Sequence, residues 1–305
     1  SASPHQRRLA LALLLVLGAP MAAHAADDPC VNPDGTPMLG GAPFHIPVGT
    51  TSGQEGGADN TTCWTSSSAY GNRNNASGEY GTAMGVWNLA AGNYGTAMGY
   101  YNQAMGDYGT GVGSNNEVLG LRSTGIGNGN QAKGNFSTSL GSYNRARGDY
   151  STVLGAYGTA FGEHSIVLGG WFDRNRDGSH FNDQDLDHDG FRNSSSEMTH
   201  ADGNEAVAVG LGARADGEHS SVFGIGSIAM GTSSTSMGFQ SSAFGNNSLA
   251  IGGWADLYGD GTYAFDLDLD GDGVMESSSE MTIADGERAV AIGLGSRASG
   301  RYAIT

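Results

Sequence analysis

The sequence predicts an all-β parallel roll, a solenoid wound in fourteen-residue coils, and three observations carry that prediction. Glycine returns every seven residues from Gly71 to Gly169 without a miss, resumes from Gly203 to Gly252, and appears again at 286, 293 and 300. Threonine, serine and valine crowd the five residues before each glycine, which is the composition of a strand ending at a turn. Alternate sevens differ, one reading like "YSTVLG" and the next like "YNRARG". The structural unit is therefore two sevens: strand, turn, strand, turn. A heptad helix also repeats in sevens, but it needs large apolar residues at two positions and tolerates glycine badly.

Composition supports a thin architecture. The 305 residues include 52 glycines and only seven prolines. Glycine is thus more than twice as common as its usual share of about 7 %. No G-X-Y pattern runs through the chain, which excludes collagen. Long aliphatic residues are too few for a thick globular core, so burial has to come from stacking small side chains.

Taken in order, residues 1–25 read as a signal peptide. Arg7 and Arg8 precede the apolar run "LALALLLVLG", and "AHA" at 23–25 supplies small residues at a cleavage site. The run is too short to span a bilayer. Without this leader, which holds two arginines and no acid, the net charge of −17 becomes −19. Such a balance excludes an electrostatic nucleic-acid binder and disfavours contact with anionic membranes. Residues 26–63 form an N-terminal cap. Its Cys30 and Cys63 are the chain's two cysteines, and export favours a disulfide between them over free or interchain thiols.

Residues 64–169, 203–252 and 286–305 form the roll, about eleven and a half coils, or a stack roughly 55 Å tall at strand spacing. Two places before each glycine both halves carry small residues. These are Ala83, Ala97, Gly111, Gly125, Ser139, Val153 and Val167 in one half, and Ala90, Ala104, Val118, Ala132, Ala146 and Ala160 in the other. Period-two alternation puts them on one face, suited to the inside of a narrow roll. One place before the glycine, the first half is always large and apolar: Met84, Met98, Val112, Ile126, Leu140, Leu154 and Leu168. The second half admits Lys133 and Arg147 there. An unbroken apolar row pointing outward must be covered, most simply by another copy of the roll. The opposite assignment, with this row inside and the alanines outside, would need no partner.

The ladder breaks at 170–202 and 253–285, two insertions that align at an offset of eighty-three and hold seventeen of the thirty-one acids. Each begins "GGW" (Trp171, Trp254) and ends "SSSEMT" then "ADG". The pattern D-x-[DN]-x-D-G occurs at Asp173, Asn175 and Asp177, and again at Asp185, Asp187 and Asp189, with Asp183 beside it. In the second copy it occurs at Asp266, Asp268 and Asp270, overlapping Asp268, Asp270 and Asp272. Alternating carboxylates followed by a turn glycine direct several oxygens at one centre, as calcium requires. The bidentate glutamate of a full EF-hand loop falls one place late, at Glu197 and Glu280. Tyr258 replaces the residue matching Asn175, so one loop of the second copy is degraded. Structural calcium, docking each insertion through its tryptophan, competes here with a merely solvated acidic loop.

Units such as "GDYSTVLGAYGTAFG", "EAVAVGLGARADGEHSSVFG" and "ERAVAIGLGSRASG" resemble the head repeats of YadA-like trimeric autotransporter adhesins, over about 71–169, 203–252 and 286–305. The resemblance implies a left-handed β-roll in a homotrimer, displayed at the outer membrane of a Gram-negative bacterium. It also implies adhesion to host matrix, cells or other surfaces, a virulence function, with no catalysis. The acidic insertions lie outside that pattern, and the sequence ends at "RYAIT" within a repeat, before any heptad stalk or barrel anchor.

Enzymatic chemistry finds no support in the motifs. The histidines are scattered, His180 and His188 lie in the acidic loops, and His164 and His219 occupy equivalent "GEHS" positions of the repeat. No nucleophile elbow, phosphate loop or zinc spacing occurs, and the period of hexapeptide acyltransferases is six, not seven. The alternative to an adhesin head is a purely structural, ice- or carbohydrate-facing solenoid presenting Thr82, Thr96, Thr110, Thr124, Thr138 and Thr152 as one rank.

Overall fold

A computed structural model describes residues 53–64, 66–171, 198–254 and 281–305. The signal peptide, Cys30 and every expected calcium ligand (Asp173 to Asp189, Asp266 to Asp272) lie outside the described residues. Cys63 lies within them and is not a free thiol.

Each coil follows one plan. A long strand such as Thr138–Ser142 turns at Tyr143 into a short strand, Arg145–Ala146, and the chain turns again at Tyr150. Fourteen long strands form one parallel sheet and fourteen short strands a second. Register is fixed by the repeat, so that Thr138 faces Thr152 and Leu140 faces Leu154. No helix occurs among the described residues. Thirteen steps of about 4.8 Å make a stack of roughly 62 Å, taller than the glycine ladder predicts.

Two differences account for the extra height. The roll begins before residue 64: Gln54–Ala58 and Thr61–Thr62 already pair with the following coil, so residues 54–62 belong to the roll and not to a separate cap. The glycine ladder hides this coil because Trp64 stands where a glycine would mark it. The insertions are also narrower than 170–202 and 253–285. Ile166–Gly170 and His200–Ala201 are strands of one coil, as are Leu249–Gly253 and Ile283–Ala284. Thr159 pairs with His200, and Ser242 with Ile283, across forty-one residues rather than fourteen, so each insertion adds twenty-seven residues at one corner.

Glycine's seven-residue return has two causes, and the positive φ expected of it is one: Gly141 lies at φ 121°, and most of its counterparts in the other long strands are also positive, whereas the column of Gly148 is not. The corners themselves turn on non-glycine residues with positive φ, Tyr143 (φ 55°) and Tyr150 (φ 58°), two places after each glycine. Both ladder columns are also required by the next coil. A Cβ on Gly141 would lie 1.9 Å from the Gly155 carbonyl oxygen, and one on Gly148 would lie 2.1 Å from that of Gly162. Both columns of the seven-residue ladder are therefore contacts between stacked backbones.

The interior is a double file of small side chains. Ala83, Ala97, Val153, Val167, Ala90, Ala104, Val118, Ala132, Ala146 and Ala160 are all fully buried. This excludes the arrangement with alanines outside. Volume is balanced locally: where the short strand carries Val118 instead of alanine, Gly111 and Gly125 face it.

A buried amide ladder runs beside this core. Asn74, Asn88, Asn102, Asn116, Asn130 and Asn144 follow the corner in successive coils and are essentially inaccessible. Asn102 Nδ2 donates to the carbonyls of Met98 (2.9 Å) and Gly113 (2.8 Å), tying its own coil to the next. Its Oδ1 accepts from the backbone N–H of Asn116 (3.1 Å) and from Asn116 Nδ2 (2.8 Å). The ladder satisfies backbone groups that the corner leaves without a strand partner. It ends where Gly158 takes the asparagine position, its N–H donating to Asn144 Oδ1 at 2.9 Å.

Candidate functional site: the outer face of the long-strand sheet

The five-residue long strand presents its first, third and fifth side chains outward and buries the second. Its sequence thus writes three exposed columns along the stack. The central column is the apolar row. Met84, Met98, Ile126, Leu154 and Leu168 are 37–39 % exposed, with Val112 and Leu140 half-buried between them. The row continues through Val209, Phe223, Met237, Ile251 and Ile292 after the first insertion. Thr82, Thr96, Thr110, Thr124, Thr138 and Thr152 form the first column, half-buried against this row. The third column turns apolar toward the C-terminal end, where Leu211, Ile225, Phe239 and Leu294 are exposed.

A continuous exposed apolar row of this kind is the sort of surface that marks an interaction face. No charged residue interrupts the central column over twelve coils, from Met84 to Ile292. The arrangement can bury a matching apolar surface.

The two corners are lined differently. At the corner following the short strand, Tyr80, Tyr94 and Tyr108 stack at 4.8 Å. Arg122 continues the column, its guanidinium 5.3 Å from the Tyr108 ring and 5.7 Å from Phe136. Phe136, Tyr150 and His164 complete the stack. Left-handed backbone at a non-glycine residue costs about 1–2 kcal/mol, and ring stacking between coils offsets it. At the opposite corner Arg73 covers Trp87 at 4.7 Å, and Tyr143 stacks on Tyr157 at 5.3 Å.

One ionisable cluster escaped the sequence reading. His200 is the first residue of the short strand after the first insertion and is almost wholly buried. Its Nδ1 is 3.1 Å from the Met198 carbonyl, and its Nε2 is 3.2 Å from Asp216 Oδ1. Arg214 Nε donates to Asp216 Oδ2. Burial pulls the imidazole toward its neutral form. The charge and hydrogen bond of Asp216, aided by Asp202 and the Met198 carbonyl, prevail and lift its pKa to about 9. Burial pushes Asp216 up, but His200 and Arg214 prevail and hold it low. Asp202 is raised by burial and by the like charge of Asp216, against the lowering pull of His200. His200, Asp202 and Asp216 lie close enough to share a metal ion. Yet two carboxylates, an imidazolium and the Arg214 guanidinium already balance without one, so the cluster reads as an ion-pair network. The equivalent positions of the second copy are Ile283, Asp285 and Ser299, with Arg297 3.4 Å from Asp285.

The fold and this face define a class: a parallel β-solenoid with fourteen-residue coils, a small-residue interior and one apolar outer sheet. The family described as "YadA head domain repeat (2 copies)" matches residues 65–86, 76–102, 119–144, 201–227, 229–253 and 284–304. Over these segments the chain carries YadA-type head repeats, which is the resemblance its sequence shows. None of the matched segments enters 172–197 or 255–280. No curated protein matches the chain.

Proposed function

We propose that the chain is the non-catalytic, surface-displayed head of a trimeric autotransporter adhesin. In this reading three left-handed rolls bury their long-strand sheets against one another, and the remaining faces bind host matrix, cells or other surfaces. The observation that carries it is the uninterrupted outward apolar column from Met84 to Ile292 on a stack of YadA head repeats. Export to the outer membrane surface accords with the arginine-led apolar leader and the acidic mature chain.

The test is assembly followed by adhesion. The signal-free chain should sediment as a trimer. Leu140→Asp with Leu154→Asp, which places charges in the middle of the column, should dissociate it and abolish retention on immobilised matrix proteins. A folded, stable monomer with an unshielded column would overturn the assignment.

The two insertions are proposed as calcium modules, with Asp173, Asn175, Asp177, Asp183, Asp185, Asp187 and Asp189 in the first and Asp266, Asp268, Asp270 and Asp272 in the second. Their support is the alternating carboxylate-and-glycine pattern in an exported chain, which fits weak extracellular calcium sites. Chelation should lower the melting temperature and expose residues 172–197 and 255–280 to protease. Identical melting and cleavage with and without chelator would reject calcium.

A further inference from the structure

Twelve tyrosines occur in the chain, and the roll sorts the described ones into pairs that differ sharply in geometry. Tyr80, Tyr94 and Tyr108 occupy the same corner position of three successive coils. Their rings are parallel within 10° and 0°, with centroids 4.8 Å apart. All three are about half exposed, at 47–49 %. Because each ring is a translation of the one below, every ortho carbon faces its counterpart across that same spacing. Tyr143 and Tyr157 repeat the arrangement at the opposite corner, at 5.3 Å and 9°. The sequence neighbours Tyr100 and Tyr101 do not, being tilted by 46° at 5.7 Å. Tyr150, further along the same column as Tyr80, Tyr94 and Tyr108, stacks on Phe136 and His164 and has no phenol in either adjacent coil.

We propose that the Tyr80–Tyr94–Tyr108 ladder is a site of oxidative modification, at which one-electron oxidants of the haem peroxidase and hydrogen peroxide class couple tyrosines of adjacent coils into dityrosine. Each phenol loses one electron and one proton to give a phenoxyl radical whose spin lies partly on the ortho carbons. Two stacked radicals form a Cε–Cε bond, and the two ring hydrogens move to the phenol oxygens to restore aromaticity. The two electrons and two protons released reduce one hydrogen peroxide to two waters, so the balance closes. Fixed, face-to-face placement removes the encounter step that separates free tyrosyl radicals. Tyr94 is the shared member of both pairs, and the product is a covalent staple joining coils that otherwise hold by hydrogen bonds and stacking.

The experiment treats the intact protein with horseradish peroxidase and hydrogen peroxide. It follows dityrosine fluorescence and maps cross-linked peptides by mass spectrometry, each marked by the loss of two hydrogens. The expected products join Tyr80 to Tyr94 and Tyr94 to Tyr108, within one chain. Tyr94→Phe should remove both while leaving any Tyr143–Tyr157 product, and Tyr100→Phe should change neither. Phe136 occupies the same column, so Tyr94→Phe keeps the stack; an unchanged circular dichroism melting curve verifies this. Coupling through Tyr100 and Tyr101, coupling only between chains, or no coupling at the ladder would overturn the proposal.

Discussion

Replacing Asn102 by alanine should destabilise the roll far more than the loss of one polar side chain on a thin protein would suggest. Asn102 is fully buried. Its truncation removes the acceptor of the Asn116 backbone N–H, leaving a buried donor unpaired at a cost of about 1–3 kcal/mol. It also removes the donor to the Met98 and Gly113 carbonyls, about 1 kcal/mol for each bond. Together these give about 3–5 kcal/mol, applied at a junction between coils. Hydrogen exchange at single amides is the appropriate assay, because nearest-neighbour coupling lets a solenoid open locally. The expected result is faster exchange from about residue 96 to 118, with more distant coils unchanged, and a lower melting temperature. Asn102→Ser should cost less, since Ser227 fills the equivalent position and donates to the Gly238 carbonyl at 2.8 Å. A loss under about 1 kcal/mol for Asn102→Ala would mean that strand pairing alone holds the coils, and the ladder argument would fall.

The interior predicts a compensating pair. Val118→Ala should cost about 2 kcal/mol for two buried methyls and the void. Gly125→Ala should cost about 1–3 kcal/mol by overpacking, because its new Cβ would lie 2.9 Å from a Val118 methyl. The double variant should recover much of both losses in denaturant titration; simple additivity would contradict local volume balance. The His200 pair predicts a pH dependence. Its folded pKa of about 9 lies above the ordinary 6.5, so its stabilisation is full below pH 6.5 and is lost as pH rises through about 9. That difference corresponds to as much as about 3 kcal/mol. His200→Ile, which installs the residue of the second copy, should flatten the stability profile over this window relative to the parent chain, and equal slopes would refute the assignment. Asp216 contributes with the opposite sign, its lowered pKa adding stability above its ordinary range that disappears in acid.

Much of this architecture was legible because a two-residue alternation superposed on a fourteen-residue period leaves little freedom. Ala83 and Ala90 had to share a face, and Met84 had to take the other. The asparagines at 74, 88, 102, 116, 130 and 144 carried the same period, but their hydrogen bonds cross between coils and need coordinates to be seen. Tyrosine in left-handed backbone runs against propensity, so the corner ladders could not be read from residue type. His200 was hidden for another reason. Its partners Arg214 and Asp216 follow one coil later, while the coil before it is interrupted by the insertion, so no local motif marks the group. The first coil was missed through a single substitution, Trp64 for glycine.

Both interruptions enter and leave the stack at one kind of neck, and its chemistry explains why the roll tolerates them. Where the amide ladder would place its next asparagine, the chain carries Thr199 after the first insertion and Thr282 after the second. Thr199 Oγ1 is 2.6 Å from the Gly170 carbonyl and accepts from the Gly170 N–H at 3.1 Å. Thr282 Oγ1 is 3.0 Å from the Gly253 carbonyl and accepts from the Gly253 N–H at 2.9 Å. The threonine thus closes the two strand ends on each other across twenty-nine residues and also reaches the next coil, at Gly210 or Gly293. Cohesion of the stack lies between coils, in register pairs such as Leu249 with Val290, and not in the continuity of the chain around one coil. Loop closure adds only a slowly growing entropy cost for the extra residues. Deleting residues 255–281 should therefore join Trp254 to Thr282 at the ordinary fourteen-residue spacing and leave a folded roll. Its melting temperature should fall by no more than the few degrees expected from losing buried Met281. Circular dichroism and sedimentation would check it. Collapse of the β-signal on deletion would show that the insertion holds the roll together, contrary to the neck geometry.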